Sequence, residues 1–143
     1  MVMGETVYAV TFNGNIGAFN LRDGSVLWQR ELSSYQNISV SNQLIAATDY
    51  RSNVKVLDRR TGGTLWTQTL LEDRRLTASI IFGNYVVAGD YDGYLHWFDK
   101  NTGHMVARND LGGGGIVADP VVAGEYMYIY TRNGNLYSFS KHE

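Results

Sequence analysis

The stretch Ile45–Leu70, IAATDYRSNVKVLDRRTGGTLWTQTL, decides the fold because it has relatives within its own chain. It aligns with Val7–Leu32, VYAVTFNGNIGAFNLRDGSVLWQREL, and with Val86–Leu111, VVAGDYDGYLHWFDKNTGHMVARNDL. A shorter copy follows at Met127–Ser140, MYIYTRNGNLYSFS. Asn20, Asp58 and Asp99 fall in one column, and Gly24, Gly62 and Gly103 in another. Trp28 and Trp66 share a third column, where the next copy has Ala107. The glycine column steps by 38 and then 41 residues, and Gly93 to Gly134 is again 41.

A period near 40 with several short strands per unit is the signature of propeller blades. One unit supplies the runs Ile38–Ser41, Leu44–Tyr50, Val54–Asp58 and Thr64–Leu71, separated by glycine or asparagine turns. Hairpins of this kind bury both faces only by packing blade against blade, so the aromatic columns read as inter-blade core. The reading is an all-β propeller of four-stranded antiparallel blades. The predicted units are about 7–32, 37–71, 77–111 and 117–140, one partial domain over 1–143. The first unit is predicted to lack its innermost strand and the last its outermost. Closed propellers hide strand edges that would otherwise pair promiscuously. The chain is therefore expected to be part of a larger ring, with self-association through open blade edges as the less favoured route to closure.

Composition agrees. Of 143 residues, 44% are hydrophobic, enough for a sizeable core. Sixteen glycines, ten tyrosines and a single proline point away from helices, and no segment sustains a helical apolar period. The net charge of −2 gives no reason to expect nucleic acid as a partner. Cysteine is absent, which removes disulfides and thiolate metal sites from this stretch. The opening MVMGETVYAV lacks the series of a signal peptide, and no apolar run approaches the length of a spanning helix.

Candidate chemistry is weak. Asp90, Asp92 and Gly93 could open a calcium loop, yet the aligned pairs Asn13–Gly14, Ser52–Asn53 and Asn133–Gly134 keep the turn and lose the acids. A two-residue hairpin turn is the better reading. In D-x-x-T-G, the acid and hydroxyl of Asp58 and Thr61, or Asp99 and Thr102, are expected to bond turn backbone while glycine turns left-handed. Trp28 and Trp66 are expected to dock on the neighbouring blade. His96, His104 and His142 share no ligand spacing, and His96 reads as packed or solvent-facing. Gly112–Gly115 reads as a flexible loop between blades. No nucleophile, zinc or phosphate-loop motif occurs, so no catalytic, cofactor or metal residue is assigned.

The blade pattern in NLRDGSVLW and DRRTGGTLW resembles the pyrroloquinoline-quinone-like repeat superfamily. Within it, RTGGTLWTQTLL and GDYDGYLHWFDKNTGHMVA resemble the BamB family, over essentially the whole chain, and GYLHW is the most specific segment. The resemblance corresponds to that family's C-terminal part. It implies an eight-bladed, cofactor-free propeller in the periplasm of Gram-negative bacteria, anchored to the outer membrane by lipid on a cysteine outside this chain. It also implies a non-enzymatic scaffold of the outer-membrane β-barrel assembly machinery, contacting the POTRA domains of BamA and possible nascent outer-membrane proteins. The family's contact positions fall upstream of Met1, so none carries over. The Gly112–Gly115 run and Ala107 depart from the pattern. The rival reading is a quinoprotein dehydrogenase fragment, or a ligand-binding periplasmic propeller. Such dehydrogenases need calcium ligands, a stacking tryptophan and usually a vicinal cysteine pair, and this chain offers no cysteine.

A partner face can be placed on physical grounds. The turn between a blade's second and third strands shares a face with the connection to the next blade. That face carries Tyr35, Arg51, Arg74, Arg75, Tyr91 and Arg132. Arginine and tyrosine are enriched at interfaces. The expectation is a partner strand added at this face or an adjoining edge.

Overall fold

A computed structural model describes residues 1–11, 14–34 and 36–141. The described residues contain strands and turns and no helix. The first sheet holds β1 (Val2–Met3), β2 (Thr6–Thr11), β3 (Asn15–Asn20) and β4 (Val26–Glu31). The second holds β5 (Ser39–Val40), β6 (Leu44–Thr48), β7 (Val54–Asp58) and β8 (Thr64–Gln68). The third holds β9 (Ile80–Phe82), β10 (Tyr85–Gly89), β11 (Tyr94–Asp99) and β12 (Met105–Asp110). The fourth has three strands, β13 (Val121–Ala123), β14 (Tyr126–Tyr130) and β15 (Leu136–Ser140). Within each sheet every strand pairs antiparallel with its neighbour in the chain, which is the propeller-blade topology the repeat predicts.

The first sheet corrects the strand count. Its innermost strand is present: Val2 pairs with Val7 and Met3 with Thr6 across a turn at Gly4. Two residues are too few to show alternation, so this strand leaves no mark in the repeat.

Alternating side chains explain why the sheets stack. In β6 and β7, Ile45, Ala47 and Leu57 face the first blade and pack with Tyr8, Ile16, Ala18 and Trp28. Leu44, Ala46, Val54 and Val56 face the third blade and pack with Val86, Ala88 and Phe98. A third core joins Val87 and Leu95 of the third blade to Met127 and Ile129 of the fourth. An inner blade is thus apolar on both faces, and β6 is buried along its whole length. Each fully buried Val, Leu or Ile contributes roughly 1.5–3 kcal/mol.

The aromatic columns are inter-blade ties. In the first two blades a bulge follows the cross-strand pairs Ala18–Trp28 and Val56–Trp66. Beside these bulges, each tryptophan lies against the next blade. Trp28 packs at Gly62 and donates Nε1–H to Arg59 O at 3.0 Å. Trp66 packs at Gly103 and donates to Lys100 O at 2.8 Å. The D-x-x-T-G turns present that surface as expected. Asp58 Oδ1 accepts Arg60 N–H at 2.7 Å, Thr61 Oγ1 accepts Gly63 N–H at 3.1 Å, and Gly62 has φ 76°.

The third blade exchanges its pair. Trp97 stands on β11 opposite Ala107 on β12, with the same bulge beside it. Large and small have traded strands. Trp97 now meets Phe139 of the fourth blade edge-on at 5.6 Å and bonds Asn109 Oδ1 at 2.7 Å. A groove of about 560 Å³ remains at the rim beside Val106 and Ala107.

Candidate partner-binding face

The face begins with the turns between second and third blade strands. In the third blade, Gly93 N–H donates to Asp90 O at 3.1 Å and Asp90 N–H donates to Tyr94 O at 2.9 Å. Only Gly93 has positive φ, at 99°. This is a three-residue loop, a tight turn closed by a left-handed residue, which corrects the two-residue turn expected from the sequence. The second blade carries a register correction too. Ser52, with φ 67° and its N–H bonded to Asp49 O at 3.0 Å, takes glycine's position, so Ser52 and not Asn53 matches Gly93. Asn13 lies outside the described residues.

Asp90 anchors its loop from below. Its side chain is fully buried, and Oδ1 accepts the N–H groups of Asp92 and Tyr94, both at 3.0 Å. Oδ2 accepts His96 Nε2 at 2.8 Å and faces Arg74 Nη1 at 3.6 Å. A carboxylate only accepts, so His96 Nε2 carries the proton of that bond. Burial pushes the Asp90 carboxyl upward, but the bond from His96, the Tyr94 N–H, the attraction of His96 and the Asp92 N–H outweigh it. The net direction is down. Asp49 repeats the pattern, accepting Arg51 and Asn53 N–H at 2.9 Å each, with Lys55 Nζ at 3.9 Å. His96 is therefore a buried structural partner. The cue was available: Asp49–Lys55 and Asp90–His96 share a six-residue spacing. Among the described residues no three His, Cys, Asp or Glu side chains gather for a metal. His142 lies outside the described residues.

Blade connections are stitched to these turns. Asp73 N–H bonds Arg51 O at 2.9 Å, Tyr91 N–H bonds Arg74 O at 3.2 Å, and Arg132 N–H bonds Gly115 O at 2.9 Å. The Gly112–Gly115 run is not a loose loop. All four glycines have positive φ. A Cβ on Gly115 would strike Tyr91 O, and one on Gly113 would meet Thr131 within 2.6 Å. The run is wedged between two blades, and glycine is what lets the backbones approach so closely.

Arg51, Arg74, Arg75, Tyr91 and Arg132 thus share one face, and Tyr35 lies outside the described residues. The structure brings three of them together. The guanidinium carbons of Arg75 and Arg132 sit 5.1 and 4.9 Å from the centre of the Tyr91 ring, within cation–π reach. Arg74 turns inward to Asp90, and Arg51 lies 5.9 Å from the ring of Tyr50. Beside the cluster is a hollow of about 330 Å³, lined by Tyr50, Leu76, Tyr91 and Val117 among others. The turn backbones are already hydrogen-bonded, so this face offers side chains and no strand edge.

Comparison with known proteins bears on what such a propeller is. The model of the family described as outer membrane protein assembly factor BamB matches residues 1–68 and 50–143. The outer membrane protein assembly factor BamB of Yersinia pestis is 37% identical over 141 residues, spanning 99% of this chain and 36% of the relative. The crystal structure of BamB from Moraxella catarrhalis superposes with a TM-score of 0.90 at 24% identity, covering 100% of this chain and 44% of that one. A europium-containing methanol dehydrogenase shares 21% identity over 75% of the chain with a TM-score of 0.62, a likeness of fold alone that covers 23% of that enzyme. The chain spans about a third of the length of the curated relatives it matches. On the match across nearly all its residues, the chain belongs to the outer membrane protein assembly factor BamB family.

Proposed function

We propose that the protein to which these blades belong is a non-enzymatic scaffold subunit of the outer-membrane β-barrel assembly machinery. It works at the periplasmic face of the outer membrane, held there by a lipid anchor outside this chain, and binds the POTRA domains of BamA. The observation that carries the reading is the family match over the full chain, to relatives named for outer membrane protein assembly. The blades here form an arc of a larger ring, eight-bladed in our reading. Support comes from the fourth blade, where Val121, Tyr126, Tyr130 and Leu136 are exposed on strands β13 to β15. A free globular surface seldom leaves such a patch uncovered.

The arginine–tyrosine face is the docking surface of this arc. It supplies aromatic area at Tyr91 and the guanidinium groups of Arg75 and Arg132, which join no ion pair among the described residues, without needing a strand edge. The test is photo-crosslinking in the full-length protein, with the reactive group at Tyr50 or Val117 on the face, or at Leu27 on the outer rim. Crosslinks to BamA from the face positions are expected. Crosslinks confined to the rim position would contradict the docking surface.

A further inference from the structure

We propose that Arg75 and Arg132 form a clamp on Tyr91 for a side-chain carboxylate from an acidic segment of a partner protein. The proposal rests on the docking reading above and names the chemistry that the face recognises.

Charge is the first argument. Both guanidinium groups lean on one ring, so they are separated by no more than the sum of their distances to its centre. Among the described residues neither takes part in an ion pair, whereas Arg22 and Arg74 do. Two unpaired like charges beside one ring make that place attractive to an anion. Guanidinium groups match a carboxylate's two oxygens in the forked, bidentate geometry.

The second argument is preorganisation. Arg132 is fixed by Nη1 donating to Gly114 O at 3.1 Å. Arg75 is fixed through its backbone. Its neighbours are tied on both sides, Arg74 O to Tyr91 N–H at 3.2 Å and Leu76 N–H to Ser52 Oγ at 3.0 Å. Arg75 itself has φ 54°. Ser52, Asp73 and Arg75 are the non-glycine residues with positive φ among those described, and all three lie on this face. Strain concentrated at one place, holding a side chain in position, fits a binding role.

The third argument selects a protein segment over a bare anion. The hollow next to the clamp combines the apolar surface of Tyr50, Leu76, Tyr91 and Val117 with polar groups that include Asp49. An apolar residue adjacent to the acidic one would enter it. Inorganic phosphate has no such group to place there.

The experiment titrates the full-length protein by NMR with blocked Gly-Glu-Leu-Glu-Gly, its Gly-Gln-Leu-Gln-Gly counterpart, and inorganic phosphate. The glutamate peptide is expected to shift the Arg75 and Arg132 side-chain signals, and the glutamine peptide to bind at least tenfold more weakly. Arg75→Gly and Arg132→Gln should each weaken the glutamate peptide about tenfold, the loss of one charged hydrogen-bonding partner. Arg75→Gly should leave the melting temperature unchanged or raised, because glycine adopts this φ freely. That combination separates binding from folding. Equal binding of the two peptides, undiminished binding by either variant, or phosphate binding as tightly as the glutamate peptide would overturn the proposal. Co-purification of the unmodified protein with BamA is read in parallel. Its loss sinks the assembly reading and leaves the peptide result standing on its own.

Discussion

Trp66 lies on the backbone of Gly103 in the next blade, and its indole N–H reaches Lys100 O at 2.8 Å. One side chain thus joins two blades by packing and by a hydrogen bond. The site has no room for a methyl group, since a Cβ on Gly103 would come within 2.5 Å of the indole ring. Gly103→Ala should therefore cost about 2–4 kcal/mol, combining an unfavourable positive φ of 80° with overpacking. Gly83→Ala is the control, with φ 60° but its nearest neighbour Lys141 Cγ at 3.9 Å. It should cost only about 1–2 kcal/mol. Urea unfolding of the two variants measures the difference.

Asp90 makes stability depend on pH with a definite sign. Its carboxyl titrates below the ordinary value in the folded chain. A depressed folded value means the charged form is favoured by folding, so the contribution is present above the unfolded value near 4 and lost as pH falls through the folded one. Asp90→Asn keeps the shape and removes the charge facing His96 and Arg74. It should lower stability by about 1–3 kcal/mol at pH 7. The gap to the parent should narrow as pH falls below about 4, where the unfolded parent takes up a proton and the folded one still resists it. Denaturation curves at pH 7, 5 and 3.5 give the comparison.

The exchanged pair Trp97–Ala107 predicts coupling across the strands. Trp97→Val should cost about 2–4 kcal/mol through lost contact with Phe82, Tyr85 and Phe139. Adding Ala107→Trp rebuilds the Val56–Trp66 arrangement of the second blade, so the double variant should recover at least about 1 kcal/mol relative to additivity. A double-mutant cycle by thermal unfolding reads this coupling.

The parts legible from sequence were those that repeat. The 40-residue period, the D-x-x-T-G turns and the docking of Trp28 and Trp66 each recur, and a recurring pattern is hard to misread. The single events were hidden. β1 is two residues long and shows no alternation. Ser52 was misaligned because serine rarely takes the left-handed position that glycine marks elsewhere. Ala107 read as a lost tryptophan, since a column comparison along the chain cannot see that its cross-strand neighbour had become Trp97. The Gly112–Gly115 run looked flexible because composition does not reveal close backbone contacts. On the candidate face, residue types chosen by topology did fall together, but the closeness of Arg75, Tyr91 and Arg132 depends on side-chain directions that spacing does not specify.

The docking face is tested most directly by charge reversal in the full-length protein. Arg74 is a poor choice because it faces the buried Asp90 carboxylate, so its loss would disturb the loop itself. Arg75→Glu with Arg132→Glu changes the face and leaves that network alone. Arg22→Glu with Arg60→Glu makes the same change of charge at exposed turns elsewhere. With melting temperatures matched, the first pair should weaken co-purification with BamA while the second leaves it unchanged. Undiminished co-purification of the Arg75→Glu, Arg132→Glu protein would contradict the account.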